Sequence, residues 1–403
     1  MSFSSLGLSP VLTSSLRALG FSEPTPVQAQ AIPPVLDGHD VIARAQTGTG
    51  KTAAFGLPII DRVFTRDRRA PTPRAPRALV LVPTRELAVQ VHHALTSYGA
   101  HVSLRAAAIY GGVGMGPQVD ALRRGVDLVV ATPGRLIDHL QRHTINLARV
   151  EILILDEADR MLDMGFLPAI RRVLLAVPSA RQTLLFSATV SSEIKRLGAE
   201  ITRHARFIDV SEGAIVASTV THRIQAVADG GKNEALTGIL KQLAADRALV
   251  FCKTKRRSDR VGQQLSRAGI RTAVIHGNKS QGARTRALDD FKCGRVNVLV
   301  ATDLAARGLD IAELPLVVNY DLPLAAEDYI HRVGRTGRAG RAGHAVSLVS
   351  AADRHLLAGI QALISAPLAP TSSHHQAPRA RRRSQTPRRD ASARHEFAVG
   401  RFA

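Results

Sequence analysis

The chain has 403 residues, 45% of them apolar, with 54 Lys and Arg against 33 Asp and Glu and a formal charge of +21. That length exceeds one ordinary domain and supplies apolar mass for two or three cores. The absence of any run of 18 apolar residues argues against a membrane span, and MSFSSLGLSP lacks the basic and apolar regions of a signal peptide, so a cytoplasmic protein is expected.

In chain order, short β-branched runs alternate with helical stretches. Residues 40–45 (DVIARA), 78–84 (ALVLVPT), 104–110 (LRAAAIY), 127–133 (DLVVATP), 151–157 (EILILDE) and 183–189 (TLLFSAT) read as six strands. Each is nearly continuous in apolar character, as strands covered on both faces are. Helical periodicity falls between them, as in TRELAVQVHHALTSYG at 84–99. Residues 248–254, 271–277, 296–303, 315–321 and 344–350 then form a second series of strands. The fold class expected is α/β, with two tandem doubly wound parallel-sheet domains. Between the series, VSEGAIVAST at 210–219 has no strong period and reads as a hinge.

After about Ser365 the composition turns to Pro, Ser, His and Arg, including RARRRSQTPRRD. Such a tail cannot bury a core and is expected to be disordered. From Pro367 it carries eight Arg against Asp390 and Glu396, so it explains only part of the charge. A polyanionic partner is the expectation for the rest, the plainer reading being a basic surface kept for solubility. Aromatic residues are 4% and Trp is absent, so nucleic-acid contacts should follow the sugar-phosphate backbone rather than read bases. The two cysteines, Cys252 and Cys293, are expected as buried reduced thiols rather than a disulfide.

AQTGTGKT (45–52) follows the first strand and precedes a helix. Gly48 and Gly50 would let the backbone turn tightly and point its N–H groups at phosphate oxygens, with Thr47 and Thr49 as further ATP-contacting residues of the same loop. Lys51 would place a point charge on the β and γ phosphates, and Thr52 a hydroxyl on Mg²⁺. The usual phosphate-loop pattern opens with Gly, and here that position is Ala45. ILILDEAD (152–159) ends an apolar strand in Asp156, Glu157 and Asp159. That strand end is where open α/β sheets take ligands, so Asp156 would hold Mg²⁺ and Glu157 would orient or deprotonate a water. A solvated loop or helix cap is the plainer reading. HRVGRTGR (331–338) spaces Arg332, Arg335 and Arg338 by three, near one face if helical. Arg335 and Arg338 would suit arginine fingers, against the plainer reading of a solvated basic helix.

With these motifs the chain resembles the DEAD-box RNA helicases of superfamily 2 over about residues 1–365. The likeness runs through PTREL (83–87), Gly111–Gly112, TPGR (132–135), SAT (187–189), VFCKTK (250–255), SQGAR (280–284) and ATDLAARGLD (301–310). The opening MSFSSLGLSP looks most like the bacterial RhlE-type branch. The resemblance implies two RecA-like domains, with a Q-motif region at 1–29, an ATP-binding domain at 30–210, a linker at 211–219, a C-terminal domain at 220–365 and the basic tail at 366–403. It implies ATP and Mg²⁺ as cofactors and RNA as partner, with ribonucleoprotein partners in addition and no membrane. From GFSEPTPVQ (20–28), Gln28 would bond the adenine edge, with Phe3 or Phe21 walling the base; the plainer reading of Gln28 is a helix cap. Arg85, Gly112, Thr132 and Arg135 would line an RNA path continued by Arg284 and Thr302. Asp310 would meet the ribose, Ser187 and Thr189 would couple nucleotide state to closure, and His331 would sit between closed domains. The function implied is an ATP-dependent RNA helicase that locally opens short duplexes or remodels RNA–protein complexes. An ATP-gated RNA clamp and a superfamily 2 DNA translocase are the alternatives.

Overall fold

The computed structural model describes residues 2–46, 48–67, 72–210, 220–243, 246–306, 311, 313–337, 342–364 and 370–371. Thr47, Asp310, Arg338, the segment 211–219 and the tail from 372 lie outside the described residues. Residues 1–371 form one compact unit, which carries two parallel sheets.

The first sheet contains β1 (Val41–Arg44), β2 (Ala78–Leu81), β3 (Ala106–Ile109), β4 (Leu128–Ala131), β5 (Ile152–Leu155), β6 (Gln182–Ser187) and β7 (Arg206–Asp209), in the order β3-β4-β2-β5-β6-β1-β7. The second contains β8 (Val220–Ala226), β9 (Ala248–Cys252), β10 (Thr272–Ile275), β11 (Val298–Thr302), β12 (Leu316–Asn319), β13 (Gly343–Val349) and β14 (Pro370–Thr371), in the order β10-β11-β9-β12-β13-β8-β14. Counted from its own first strand, the second sheet repeats the order of the first. All eleven strands expected from sequence are present, and β7, β8 and β14 were not foreseen. β14 falls within the segment expected to be disordered, where Pro370 and Thr371 pair with Ile224 and Gln225 of β8.

The apolar runs form strands because both faces are covered. Val80, Ile152, Ile154 and Leu184 point into one core of the first lobe, while Leu79, Leu153, Leu155 and Leu185 point into the other. Each such side chain contributes about 1.5–3 kcal/mol by leaving water. The second lobe repeats this, with Val250 and Val300 on one face and Leu249 and Leu299 on the other. Helices start where polar residues cap them: the Thr84 hydroxyl accepts from Leu87 N at 3.3 Å and opens the helix Arg85–Tyr98.

Both cysteines are free thiols, but only Cys252 is buried; Cys293 is exposed, which corrects the expectation that both lie inside. Cys252 ends β9 in the second core, and burial pushes its thiol up to about 12. Cys293 caps the helix Gln281–Lys292 at the surface, where the apolar periodicity has run out. Among the described residues no helix is long and apolar enough to cross a membrane.

Candidate active site

The loop between β1 and the helix Lys51–Ile59 is shaped by two glycines in the left-handed region, Gly48 at φ 83° and Gly50 at φ 92°. Ala45, in place of the usual first glycine, continues the ladder: its N–H donates to Ser187 O at 2.9 Å. Lys51 is 6% exposed, and its Nζ donates to Ala45 O at 3.1 Å across the loop. The Thr49 hydroxyl donates to Gln46 O at 2.8 Å, and Thr52 is half-buried beside Lys51. Gln28 completes a capping box: its Oε1 accepts from Thr25 N at 3.0 Å and its Nε2 donates to Gly50 O at 3.2 Å. The capping role weighed for Gln28 is thus present, and it ties this residue to the loop. Phe3 is buried in the N-terminal core and meets Phe21 edge-to-face at 5.9 Å; Phe21 in turn meets Tyr98.

β5 and β1 flank β6, so Asp156, Ser187 and the loop share one sheet edge. Asp156 is 2% exposed, and burial pushes its carboxyl up to about 6 although Lys51 opposes this. A buried carboxylate at this sheet edge is an oxygen donor of the kind that suits Mg²⁺. Glu157 stands at φ 52°, a left-handed conformation rare outside glycine, and opens the helix Ala158–Asp163. Burial alone would raise its carboxyl, but Arg160, Lys51 and Arg335 together hold it below the usual range. Asp159 accepts from Ala188 N and Thr189 N at 3.0 Å each and from the Thr189 hydroxyl at 3.1 Å, while the Ser187 hydroxyl donates to Thr189 O at 2.7 Å. The link between Asp159 and residues 188–189 was not assigned from sequence, although Asp159 was visible in the acidic run. Arg160, buried and ion-paired with Glu157, gave no sequence signal.

The second lobe supplies the opposite charge. The helix Ala326–Val333 stops at Gly334, so Arg332 and Arg335 do not share a helical face, a correction to the spacing argument. Arg332 turns inward: it is 2% exposed, bonds Asp303 at 2.5 and 2.6 Å, and lies 4.9 Å above the Phe251 ring. Arg335 lies past the helix end and is 3% exposed; its carbonyl accepts from Leu314 N at 3.0 Å. Arg335 helps to lower the carboxyl of Glu157, and His331 that of Asp159. Arg160, His331 and Arg335 line one small cavity between the lobes, about 10 Å³.

A second cavity of about 330 Å³ also spans the lobes, lined among others by Arg85, Thr132, Arg135 and Arg284, with Phe166 and Leu304 as its apolar part. Gly112 has φ 79°, and a Cβ there would lie 1.8 Å from Arg85 Nη1, so the arginine occupies the space the glycine leaves. Thr302 ends β11, 8% exposed, and is not among the residues lining this cavity. Glu86 joins the lobes: its Oε1 accepts from Gln281 Nε2 at 3.0 Å and pairs with Arg284 Nη2 at 2.9 Å. Glu86 and Gln281 fall inside PTREL and SQGAR, but neither was given a role from sequence, because their meeting depends on how the lobes face each other.

The two sheets of one order, with a phosphate-type loop on the first lobe and arginines of the second facing its carboxylates, define a tandem RecA-like protein. Residues 25–197 match the DEAD/DEAH box helicase model, and residues 231–340 match the helicase conserved C-terminal domain. The chain belongs to the DEAD-box helicase family. It is 42% identical over 360 residues to the ATP-dependent RNA helicase DeaD of Klebsiella pneumoniae, covering 89% of this chain and 55% of that protein. It is 44% identical over 339 residues to the ATP-dependent RNA helicase RhlB of Xanthomonas oryzae pv. oryzae, covering 83% of this chain and 59% of that protein. The chain thus spans little more than half the length of these curated relatives. Among solved structures it is similar to S. cerevisiae Dbp5 bound to RNA and ADP BeF3, with a TM-score of 0.81 and 31% identity over 92% of this chain and 95% of that one.

Proposed function

We propose that the chain is an ATP-dependent RNA helicase, an RNA-stimulated ATPase that locally opens short duplexes when its lobes close. The observation that carries the RNA part is in the larger cleft: Arg135 Nη1 and Arg284 Nε are buried there without a hydrogen-bond partner. Buried guanidinium donors are costly unless satisfied, and phosphate oxygens satisfy them best. Arg85, Gly112, Thr132 and Arg135 on one lobe, with Arg284 and Thr302 on the other, would hold one strand by its backbone. A duplex of A form would not follow both lobes, so closure would bend one strand away from its partner.

On the nucleotide side, Gln28 is proposed to bond the adenine edge, with Phe3 and Phe21 as the apolar support behind it. Thr47, Gly48, Thr49, Gly50 and Lys51 would hold the phosphates, and Asp310 the ribose. Thr52 and Asp156 would hold Mg²⁺, which when bound supplies charge neutralisation at the β and γ phosphates. Glu157 orients the attacking water and takes its proton, a role that its depressed pKa and ion pair to Arg160 keep it ionised to perform. Arg335, Arg338 and His331 would meet the charge that develops on the transferred phosphoryl group. Thr189, whose hydroxyl donates to Asp159, and Ser187, whose hydroxyl donates to Thr189 O, would pass the nucleotide state to the lobe interface. With this reading goes assignment to the RhlE-type branch, on the stretch MSFSSLGLSP, a cytoplasmic address and ribonucleoprotein partners.

Glu157→Gln tests the assignment. It keeps the size of the side chain and removes its basicity, so turnover should fall by about 10²–10⁴. With ATP and Mg²⁺ present, the variant should release fluorescent single-stranded RNA more slowly than wild type, followed by anisotropy. Normal turnover would remove Glu157 from the chemistry. Equal stimulation by DNA and RNA would favour the translocase reading, and RNA-stimulated turnover without separation of a short duplex would favour the clamp.

A further inference from the structure

His139 lies on the helix Pro133–Gln141 with no exposed surface, and the chemistry above does not use it. A buried imidazole needs partners at both ring nitrogens. Nε2 is 3.2 Å from Gln118 Oε1, and Nδ1 is 2.7 Å from the Thr144 hydroxyl. Gln118, 7% exposed on the helix Gly116–Arg123, donates through its own Nε2 to the Tyr110 carbonyl at 3.0 Å. A carbonyl only accepts, so the amide nitrogen of Gln118 faces Tyr110 and its oxygen faces His139. His139 Nε2 is therefore the donor, and the one proton of the Thr144 hydroxyl is shared between Nδ1 at 2.7 Å and the His139 carbonyl at 3.0 Å.

This buried chain joins two segments that meet at the cleft. One end is the helix whose first turn carries Arg135 and whose cap is Thr132; the other is Tyr110, directly before Gly111–Gly112. At the surface the same segments touch through Arg135 Nη2, which donates to Val113 O at 3.1 Å. That bond is exposed, and water competes for it.

We propose that His139 is a positioning residue for RNA: through Gln118 it fixes residues 110–113 against residues 132–135, so that both segments meet one strand in register. The inference rests on those segments contacting RNA. An apolar side chain at position 139 would leave Gln118 Oε1 buried without a donor, and the loop would shift to solvate it.

The experiment is ATPase rate against concentration of a single-stranded oligouridylate, at saturating ATP, with the full chain. His139→Leu should raise the RNA concentration for half-stimulation by about tenfold, the order of effect of one buried acceptor left unpaired. Its kcat at saturating RNA and its KM for ATP should stay within about twofold, which also reports that the variant is folded. His139→Gln, whose amide can donate to Gln118 and accept from Thr144, should restore the RNA dependence. Gln118→Leu should match His139→Leu, and the double variant should lose no more than either alone. The proposal is overturned if His139→Gln is as impaired as His139→Leu, or if ATP KM and RNA dependence shift together. Arg135→Ala separates the underlying reading. If Arg135→Ala leaves RNA dependence unchanged, the cleft is not the RNA site; if only the His139 and Gln118 variants leave it unchanged, the bridge does not position it.

Discussion

Gly50 shows at the scale of one residue how closely the loop after β1 is drawn. It sits at φ 92°, and a Cβ on it would lie 2.3 Å from Gln28 Nε2 and 3.2 Å from the Thr25 hydroxyl. Gly50→Ala would therefore force an L-residue into the left-handed region, at a cost of about 1–2 kcal/mol, and push Gln28 off the loop. ATP affinity measured by calorimetry should fall by about tenfold or more, while RNA binding without nucleotide stays as in wild type. An unchanged ATP affinity would detach both residues from the nucleotide. The contact between Gln28 and Gly50 was not readable from the chain, since 22 positions separate them. The placement of Lys51 and Thr52 at the head of the helix after β1, and of Asp156 and Glu157 just past β5, was readable, because each pair keeps its spacing to its own strand within a few residues. Arg160 was not, because its significance comes only from the buried carboxylate that folds against it.

At the scale of elements, the helix Pro133–Gln141 carries a pH dependence. Burial, then Arg135, lowers the His139 pKa; Arg142 lowers it further and Asp138 raises it. The folded state therefore prefers the neutral ring. Its contribution to stability is complete above the unfolded value of about 6.5 and is lost as the pH falls below it, when the unfolded chain takes a proton that the folded chain resists. Melting temperature should therefore drop further for wild type than for His139→Gln between about pH 7.5 and about pH 5.5. Equal drops would mean that His139 titrates alike in both states. The strands most readable in sequence were the continuous apolar runs such as 152–155 and 298–302, buried on both faces. β7 and β8 were missed for a physical reason: RFID exposes Arg206 and Phe207 at the sheet edge, and VTHRIQA mixes polar with apolar residues. The arginine spacing at 332–338 misled for another, since Gly334 stops the helix before Arg335.

For the whole molecule, the decisive feature is that, among the described residues, each apolar core lies within a single lobe. There no buried cluster contains residues of both, and Glu86 meets Gln281 and Arg284 through polar atoms. Such a joint resembles a transient interface more than a shared core. Calorimetry of the ligand-free chain should therefore show two unfolding transitions, which ATP with single-stranded RNA should raise and bring together. One ligand-independent transition would mean that the lobes depend on each other to fold.

The repeated strand order also gives every corner of the first lobe a counterpart in the second. β8 stands where β1 stands, and it is followed by Gly230, Gly231 and Lys232, with Gly231 capping a helix that begins at Lys232. β12 stands where β5 stands, and just beyond its end is Asp321. Lysine and acid thus recur in the places of Lys51 and Asp156, like features in siblings. In this copy, however, Lys232 Nζ lies 3.6 Å from Asp321 and 2.8 Å from Asp353, which reaches over from the turn after β13. The second lobe carries its own anion as a built-in side chain, and its lysine is neutralised before any ligand arrives. Duplication followed by internal neutralisation would leave one responsive lobe and one inert twin, free to lend its arginines across the gap.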